Sequence, residues 1–257
     1  MKNQIDELKD KTILIVGTGY AQKRFILQKI KKLGMKIVMI NKEKNWAASY
    51  VDHWIIANTI NHGETIQALE NFNSDNPNIK ISGVYTYWED DVLLTAKIAE
   101  KLKLIGIPYQ IAKKTRNKGI FRKFCQDNHL PFPQYQTIKN QEDLVFVKKY
   151  FHFPVVVKPV FGSSSAYVVK VENKSELDET YKYVKSNLSV QVESALSDGM
   201  DVMVEEYIEG DEVDIDILIQ NGKIKFYTIS DNDQTDEPFF VETGRQTPSN
   251  LPDKEQR

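Results

Sequence analysis

Between Thr12 and Leu102, short β-branched runs take turns with segments of helical spacing, and this rhythm restricts the chain to a parallel sheet with helices packed on its faces. Thr12 to Val16 reads as a strand entering the turn Gly17-Thr18-Gly19. Phe25, Ile26, Leu27, Ile30 and Leu33 then recur at helical intervals. Gly34 marks the helix stop before a second strand, Lys36 to Ile40, and a third apolar segment, His53 to Ala57, follows a polar loop. Ile81 to Tyr85 adds a further strand. Glu89-Asp90-Asp91 then sets acidic residues at the start of a helix from Val92 to Leu102, where the helix dipole favours them.

The pattern changes after Gly106-Ile107-Pro108. A basic helix is expected over Lys113 to Asn128, and Leu130-Pro131-Phe132-Pro133 marks a boundary. Beyond it the reading is strand (Tyr135 to Ile138), helix (Gln141 to Tyr150), strand (Val155 to Pro159), a loop of small residues, strand (Tyr167 to Val171), helix (Ser175 to Leu188) and strand (Asp201 to Tyr207), an α+β unit. Val213 to Ile219 and Lys223 to Ile229 flank Asn221-Gly222, a pair that tolerates the positive φ of a type I′ hairpin turn. The polar stretch after them shows no recognisable strand, and no repeat or low-complexity segment interrupts the chain.

Three stretches carry residues suited to chemistry. In the first glycine turn, Gln22 occupies the third position of a dinucleotide fingerprint, where close packing needs a small residue, and Asn41-Lys42 rather than an acid follows the second strand. A structural turn is the better reading. In the second stretch, Val155-Val156-Val157-Lys158-Pro159 runs into Gly162-Ser163-Ser164-Ser165-Ala166. A lysine at a strand end beside a Gly/Ser loop supplies positive charge and accessible N–H groups for phosphate oxygens, but it equally describes a flexible hairpin with a surface lysine. In the third, Glu205, Glu206, Glu209, Asp211, Glu212, Asp214 and Asp216 alternate with apolar residues, which by itself describes a half-solvated strand. Lys118 is one base among several in its helix.

Other chemistries find little support. With 34 basic and 36 acidic residues and a formal charge of -2, the chain builds no field that would collect nucleic acid or an anionic membrane. His53, His62, His129 and His152 lack metal-site spacing, and Cys125, the one cysteine, has no companion for a disulfide. No apolar run approaches the roughly 20 residues that cross a bilayer, and MKNQIDELKDK lacks the apolar core of a signal peptide. A cytoplasmic setting is expected.

In order along the chain, Asn117 to Phe124 (NKGIFRKF), Pro154 to Val171 (PVVVKPVFGSSSAYVVKV) and Val202 to Leu218 (VMVEEYIEGDEVDIDIL), preceded by an α/β region, resemble the ATP-grasp superfamily. The resemblance implies a parallel-sheet domain over residues 1–112, a connecting helix and small α+β lid over 113–207, and the start of an antiparallel C-terminal domain over 208–257. It implies that Lys118 and Lys158 reach ATP phosphates, and that Gly162, Ser163, Ser164, Ser165 and Ala166 fold over them. Glu205 would face the adenine amino group, Glu206, Tyr207 and Ile208 would form the hinge beside the ring, and Glu212 would hold the ribose hydroxyls. Such roles suit the groups concerned, since an amino group needs an acceptor and a diol suits a carboxylate.

Phe240 to Pro252 looks most like the branch that joins amino acids into dipeptides, including carnosine synthase and bacterial L-amino acid ligases. There Glu242 would lie near the substrate. Arg245 stands where that branch often has histidine and would suit a carboxylate. The implied reaction makes an acyl phosphate from ATP and a carboxylate, which an amine then attacks to form an amide. ATP and Mg²⁺ are the implied cofactors, small carboxylates and amines such as amino acids the partners, and a homodimer is compatible with the family. A carboxylase or carbamoyl-phosphate-type enzyme, or a non-catalytic ATP-binding module, shares the same nucleotide motifs. The family's magnesium ligands fall beyond Arg257, so no metal ligand is assigned to Glu212, Asp214 or Asp216, and the chain is expected to be a truncated form.

Overall fold

The computed structural model describes residues 6–190, 192, 194–252 and 254–256. Residues 1–5, 253 and 257, which fall within the outer expected domains and the opening segment, lie outside the described residues. By compactness the chain divides into Met1–Asn117 and Lys118–Arg257.

In the first unit the strands β1 (Thr12–Val16), β2 (Lys36–Asn41), β3 (His53–Ile56) and β4 (Ile81–Tyr85) pair in parallel in the order β3-β2-β1-β4. The two central strands are buried on both faces, as their near-continuous apolar runs require. Leu14, Val16, Val38 and Ile40 face one way and pack with Leu69 of helix α2 (His62–Asp75) and with Leu94 and Ile98 of helix α3 (Val92–Lys101). Ile15, Ile37 and Met39 face the other way, onto Leu27 of helix α1 (Arg24–Lys32). Helix α2 was not anticipated in the polar stretch after β3. Asn61 caps it, accepting from the Glu64 N–H at 3.3 Å, and only Thr65 and Leu69 are fully buried, so its apolar stripe is too thin to announce itself.

The basic helix expected over Lys113 to Asn128 is in fact two. Helix α4 (Tyr109–Arg116) packs on α3 through Ala112, Leu93 and Ala96, and ends at Asn117, whose backbone is extended (φ −96°, ψ 104°). Helix α5 (Lys118–Asp127) then opens the second unit. Asparagine competes poorly for helix interiors, which explains the break.

The second unit holds β5 (Tyr135–Ile138), helix α6 (Gln141–Tyr150), β6 (Val155–Pro159), β7 (Val169–Val171), helix α7 (Leu177–Asn187) and β8 (Val202–Glu206). The four strands form an antiparallel sheet in the order β5-β8-β6-β7. Asn140 and Asp143 build a reciprocal capping box that starts α6 where the sequence places it. A second antiparallel sheet joins β9 (Val213–Gln220), β10 (Lys223–Gln234) and β11 (Glu242–Gln246) in the order β11-β10-β9. Asn221 (φ 52°) and Gly222 (φ 70°) make the expected hairpin turn. Strand β11 corrects the reading that the late polar stretch holds no strand: its residues are all polar or glycine, and pairing with β10 supplies the order that an apolar pattern does not. Among the described residues no helix is long and apolar enough to cross a membrane.

Candidate functional site

The alternation of side chains along β6 and β8 creates a site on one face of their sheet and a core on the other. Val155, Val157, Val202 and Val204 are buried among Leu144 and Val147 of α6 and Leu177 and Val184 of α7. Each contributes about 1.5–3 kcal/mol by leaving water. Their neighbours Val156, Lys158, Met203 and Glu205 therefore point the opposite way. In the β6–β8 register Val156 lies opposite Glu205 and Lys158 opposite Met203, so Lys158 and Glu205 are diagonal neighbours on one face. Their side chains form an ion pair.

Helix α5 brings two more cations, Lys118 and Arg122, one turn apart and hence on one side of the helix. The Lys118 backbone N–H donates to the Val160 carbonyl at 3.1 Å, tying the helix start to the end of β6, and Nζ donates to the Gly162 carbonyl at 3.1 Å. Arg122 grips Glu205 with both arms of its fork, Nε to Oε1 at 2.8 Å and Nη2 to Oε2 at 3.3 Å. Glu205, only 3% exposed, thus carries two cationic partners. Burial pushes its carboxyl upward, but the Arg122 hydrogen bond and the Lys158 charge outweigh that and hold it below the usual carboxylate range.

The loop after β6 is more tightly wound than a flexible hairpin. Gly162 (φ 119°), Ser164 (φ 53°), Ser165 (φ 54°) and Tyr167 (φ 62°) all have positive φ, and the Ala166 and Val168 N–H groups turn back to the Ser163 and Ser165 carbonyls. Such conformations in non-glycine residues persist where surroundings impose them, and they concentrate at ligand sites. Strand β7 consequently begins at Val169 and not at Tyr167.

Sheet, helix and loop enclose a cleft of about 610 Å³. Lys118, Lys158, Gly162, Ser163, Ser164, Ser165, Glu205, Glu206, Tyr207, Ile208 and Glu212 all line it, together with Glu242. Arg245 does not border the cleft; its guanidinium is held by Asp214 and, at 3.3 Å, by Glu242. Two hinge side chains already have protein partners. Glu206 accepts from the Gln134 backbone N–H at 3.0 Å, and the Tyr207 hydroxyl donates to Glu237 at 3.0 Å. Sequence reasoning missed Arg122, Pro133, Val156, Pro159, Phe161, Val168 and Phe240 among the lining residues. The i, i+4 spacing from Lys118 and the strand alternation from Lys158 were available signals for Arg122 and Val156; nothing local marked Phe161 or Phe240.

An ATP-grasp N-terminal domain family model matches residues 27–106, and an ATP-grasp domain family model matches residues 151–257. The chain belongs to the ATP-grasp superfamily.

Relatives of this ATP-grasp chain include Carnosine synthase 1 of Homo sapiens, 23% identical over 259 residues, an alignment covering 95% of this chain and 31% of that protein. Among solved structures, the L-amino acid ligase from Bacillus licheniformis superposes with a TM-score of 0.78 at 24% identity, covering 96% of this chain and 57% of that one. The N5-carboxyaminoimidazole synthetase from Staphylococcus aureus, solved with ADP, superposes with a TM-score of 0.73 at 18% identity, over 97% of this chain and 61% of that one. The ATP-grasp chain therefore spans about a third of the length of its curated relative and under two thirds of these structures.

Two lysines, an arginine and a Gly/Ser loop thus line the cleft together with a buried carboxylate, groups of the kind that bind phosphate oxygens. Magnesium does not fit in the same way. Among the described residues no group of three or more His, Cys, Asp or Glu side chains is arranged to hold a metal ion.

Proposed function

We propose that this ATP-grasp chain binds ATP in the cleft and serves a ligase that joins a small carboxylate to an amine, with amino acids as the leading substrates. One observation carries the reading: Lys118, Lys158 with the Gly162–Ser165 loop that follows it, and Glu205 with the 206–208 hinge, three segments distant in sequence, converge on one cleft. In this proposal Lys118 and Lys158 neutralise phosphate charge, and the loop N–H groups and hydroxyls hold phosphate oxygens. Glu205 accepts from the adenine amino group, the backbone of Glu206 and Ile208 meets the ring, and Glu212 accepts from the ribose diol. Glu242 approaches the substrate end, and Arg245, already bonded to it, orients it.

The reaction needs no nucleophile from the protein. A carboxylate oxygen attacks the γ-phosphorus of ATP, the bond to the bridging oxygen breaks and ADP leaves. The amine then attacks the acyl carbon, phosphate departs, and the amine loses a proton. Positioning and charge neutralisation supply the acceleration, as in phosphoryl transfer generally. Among the described residues no cluster of His, Cys, Asp or Glu side chains is arranged to hold a metal ion, and no step is assigned to one. Support for this branch comes from the likeness to the carnosine synthase and L-amino acid ligase.

The test is ATP binding by calorimetry, followed by ADP release with amino-acid mixtures and, separately, with bicarbonate. The wild type is expected to bind ATP, and Lys158→Ala to bind it at least tenfold more weakly, about 1.4 kcal/mol. Equal affinity in the two proteins removes the phosphate role of Lys158. ADP release with bicarbonate but not amino acids would move the chain to the carboxylase reading.

A further inference from the structure

Lys158 faces a conflict. The proposed function sends its ammonium to a phosphate, yet in this structure it is bound to Glu205. Glu205 is almost wholly buried, and a buried carboxylate stripped of its partners is strongly unfavourable. If Lys158 were its sole counter-charge, leaving for the nucleotide would expose the molecule to that cost.

Arg122 removes the conflict. Its two bonds occupy both carboxylate oxygens of Glu205, so Oε2 is shared between Arg122 and Lys158 while Oε1 is bonded by Arg122. A planar guanidinium engaged through two nitrogens is fixed in direction, whereas an ammonium on a four-carbon stem turns freely. Of the two cations, the lysine is the one built to move. Both line the same cleft as the Gly/Ser loop.

We infer that Arg122 is a positioning residue that keeps Glu205 paired while Lys158 is handed from Glu205 to the nucleotide phosphates, an ion-pair exchange that couples phosphate binding to the hinge. This rests on the ATP-binding reading. Arg122 itself does not touch the nucleotide. Its contribution therefore depends on two things: a phosphate for Lys158 to move to, and a negative charge on residue 205 to be left behind.

The experiment is a binding comparison of ATP and adenosine on wild type, Arg122→Ala, Arg122→Lys, Glu205→Gln and the double variant Arg122→Ala/Glu205→Gln, each checked for cooperative unfolding. Arg122→Ala is expected to weaken ATP by at least tenfold and adenosine by less than threefold, because Lys158 stays locked on Glu205. Arg122→Lys should recover part of the ATP affinity. In the Glu205→Gln background, adding Arg122→Ala should change ATP affinity by less than threefold. If the single Arg122→Ala variant fails to fold, Arg122→Lys against wild type reads the effect: a larger loss for ATP than for adenosine is expected, and equal losses overturn the exchange. An equal loss of ATP affinity with and without the Glu205 charge means Arg122 contacts the nucleotide directly, and overturns the exchange. So does an equal loss for adenosine and ATP, or no loss at all. Absence of ATP binding by the wild type overturns the underlying reading instead, and the two failures are told apart by that first measurement.

Discussion

The carboxyl of Asp91 fills the space that a side chain on Gly17 would take: a Cβ placed on Gly17 would overlap Oδ2 of Asp91. Gly17 also sits at φ 75°, a region open mainly to glycine. Around it the turn's polar groups are taken within the same unit. Asn45 donates to the Thr18 hydroxyl at 2.7 Å, and the Tyr87 hydroxyl to the Thr18 carbonyl at 2.9 Å. The Trp46 indole donates to the Gly19 carbonyl at 3.0 Å. The glycines after β1 thus serve close packing of β1 against the segment before α3.

Gly17→Ala is accordingly expected to lower stability by about 2 kcal/mol or more, from the left-handed backbone and the displaced carboxyl together. Denaturant unfolding of the whole chain measures it; a change below about 0.5 kcal/mol would mean that the Asp91 contact yields freely.

Asp91 should make the first unit less stable as pH rises. It is 4% exposed, and burial, with help from the Asp90 charge and against a hydrogen bond with Thr59, pushes its pKa up to about 6. The native state keeps a proton that the unfolded chain releases near the ordinary value of 3.8. Stability therefore falls between about pH 4 and pH 6 and stays reduced above, by up to roughly 3 kcal/mol. Asp91→Asn should gain most of this at pH 7.5 and little at pH 4. An equal gain at both pH values would assign the effect to packing and not to charge.

Glu205 should act with the opposite sign. Its carboxyl is depressed in the folded state, so its stabilisation is complete above the ordinary value of 4.5 and is lost as pH falls through the depressed one. Glu205→Gln, which leaves Lys158 and Arg122 facing an uncharged amide, is expected to cost about 2–4 kcal/mol at pH 7. Wild type and variant should converge as pH falls through the depressed value; curves that stay parallel from neutral to strongly acid pH would contradict the ion-pair account.

Val157 and Lys158, adjacent in sequence, should separate stability from binding. Val157 is fully buried beneath the sheet, so Val157→Ala is expected to cost about 2 kcal/mol of stability and to leave ATP affinity within twofold. A variant that unfolds no more easily but binds ATP poorly would mean the two faces of β6 are exchanged.

Most of the first unit was legible because its signals are local. Ile13 to Val16 and Ile37 to Ile40 are apolar throughout because both faces of a central parallel strand are covered, and the Asn221-Gly222 turn needs only its own two residues. The reading failed where order comes from a neighbour: α2 shows too thin an apolar stripe, and β11 is held by the backbone of β10. The same division runs through the site. Lys118, Lys158 and the Gly/Ser loop were visible as residue types in a familiar order, and tertiary structure brought them to one cleft.

What the sequence settled by itself was the parallel sheet and the hairpin, since strand periodicity and turn chemistry act over a few residues. What tertiary structure decided was who pairs with whom. Arg122 and Glu205 stand 83 positions apart. Only the packing of α5 beside the β6–β8 sheet brings them within hydrogen-bond reach, because electrostatic pairing depends on distance through space and leaves no periodic mark along the chain.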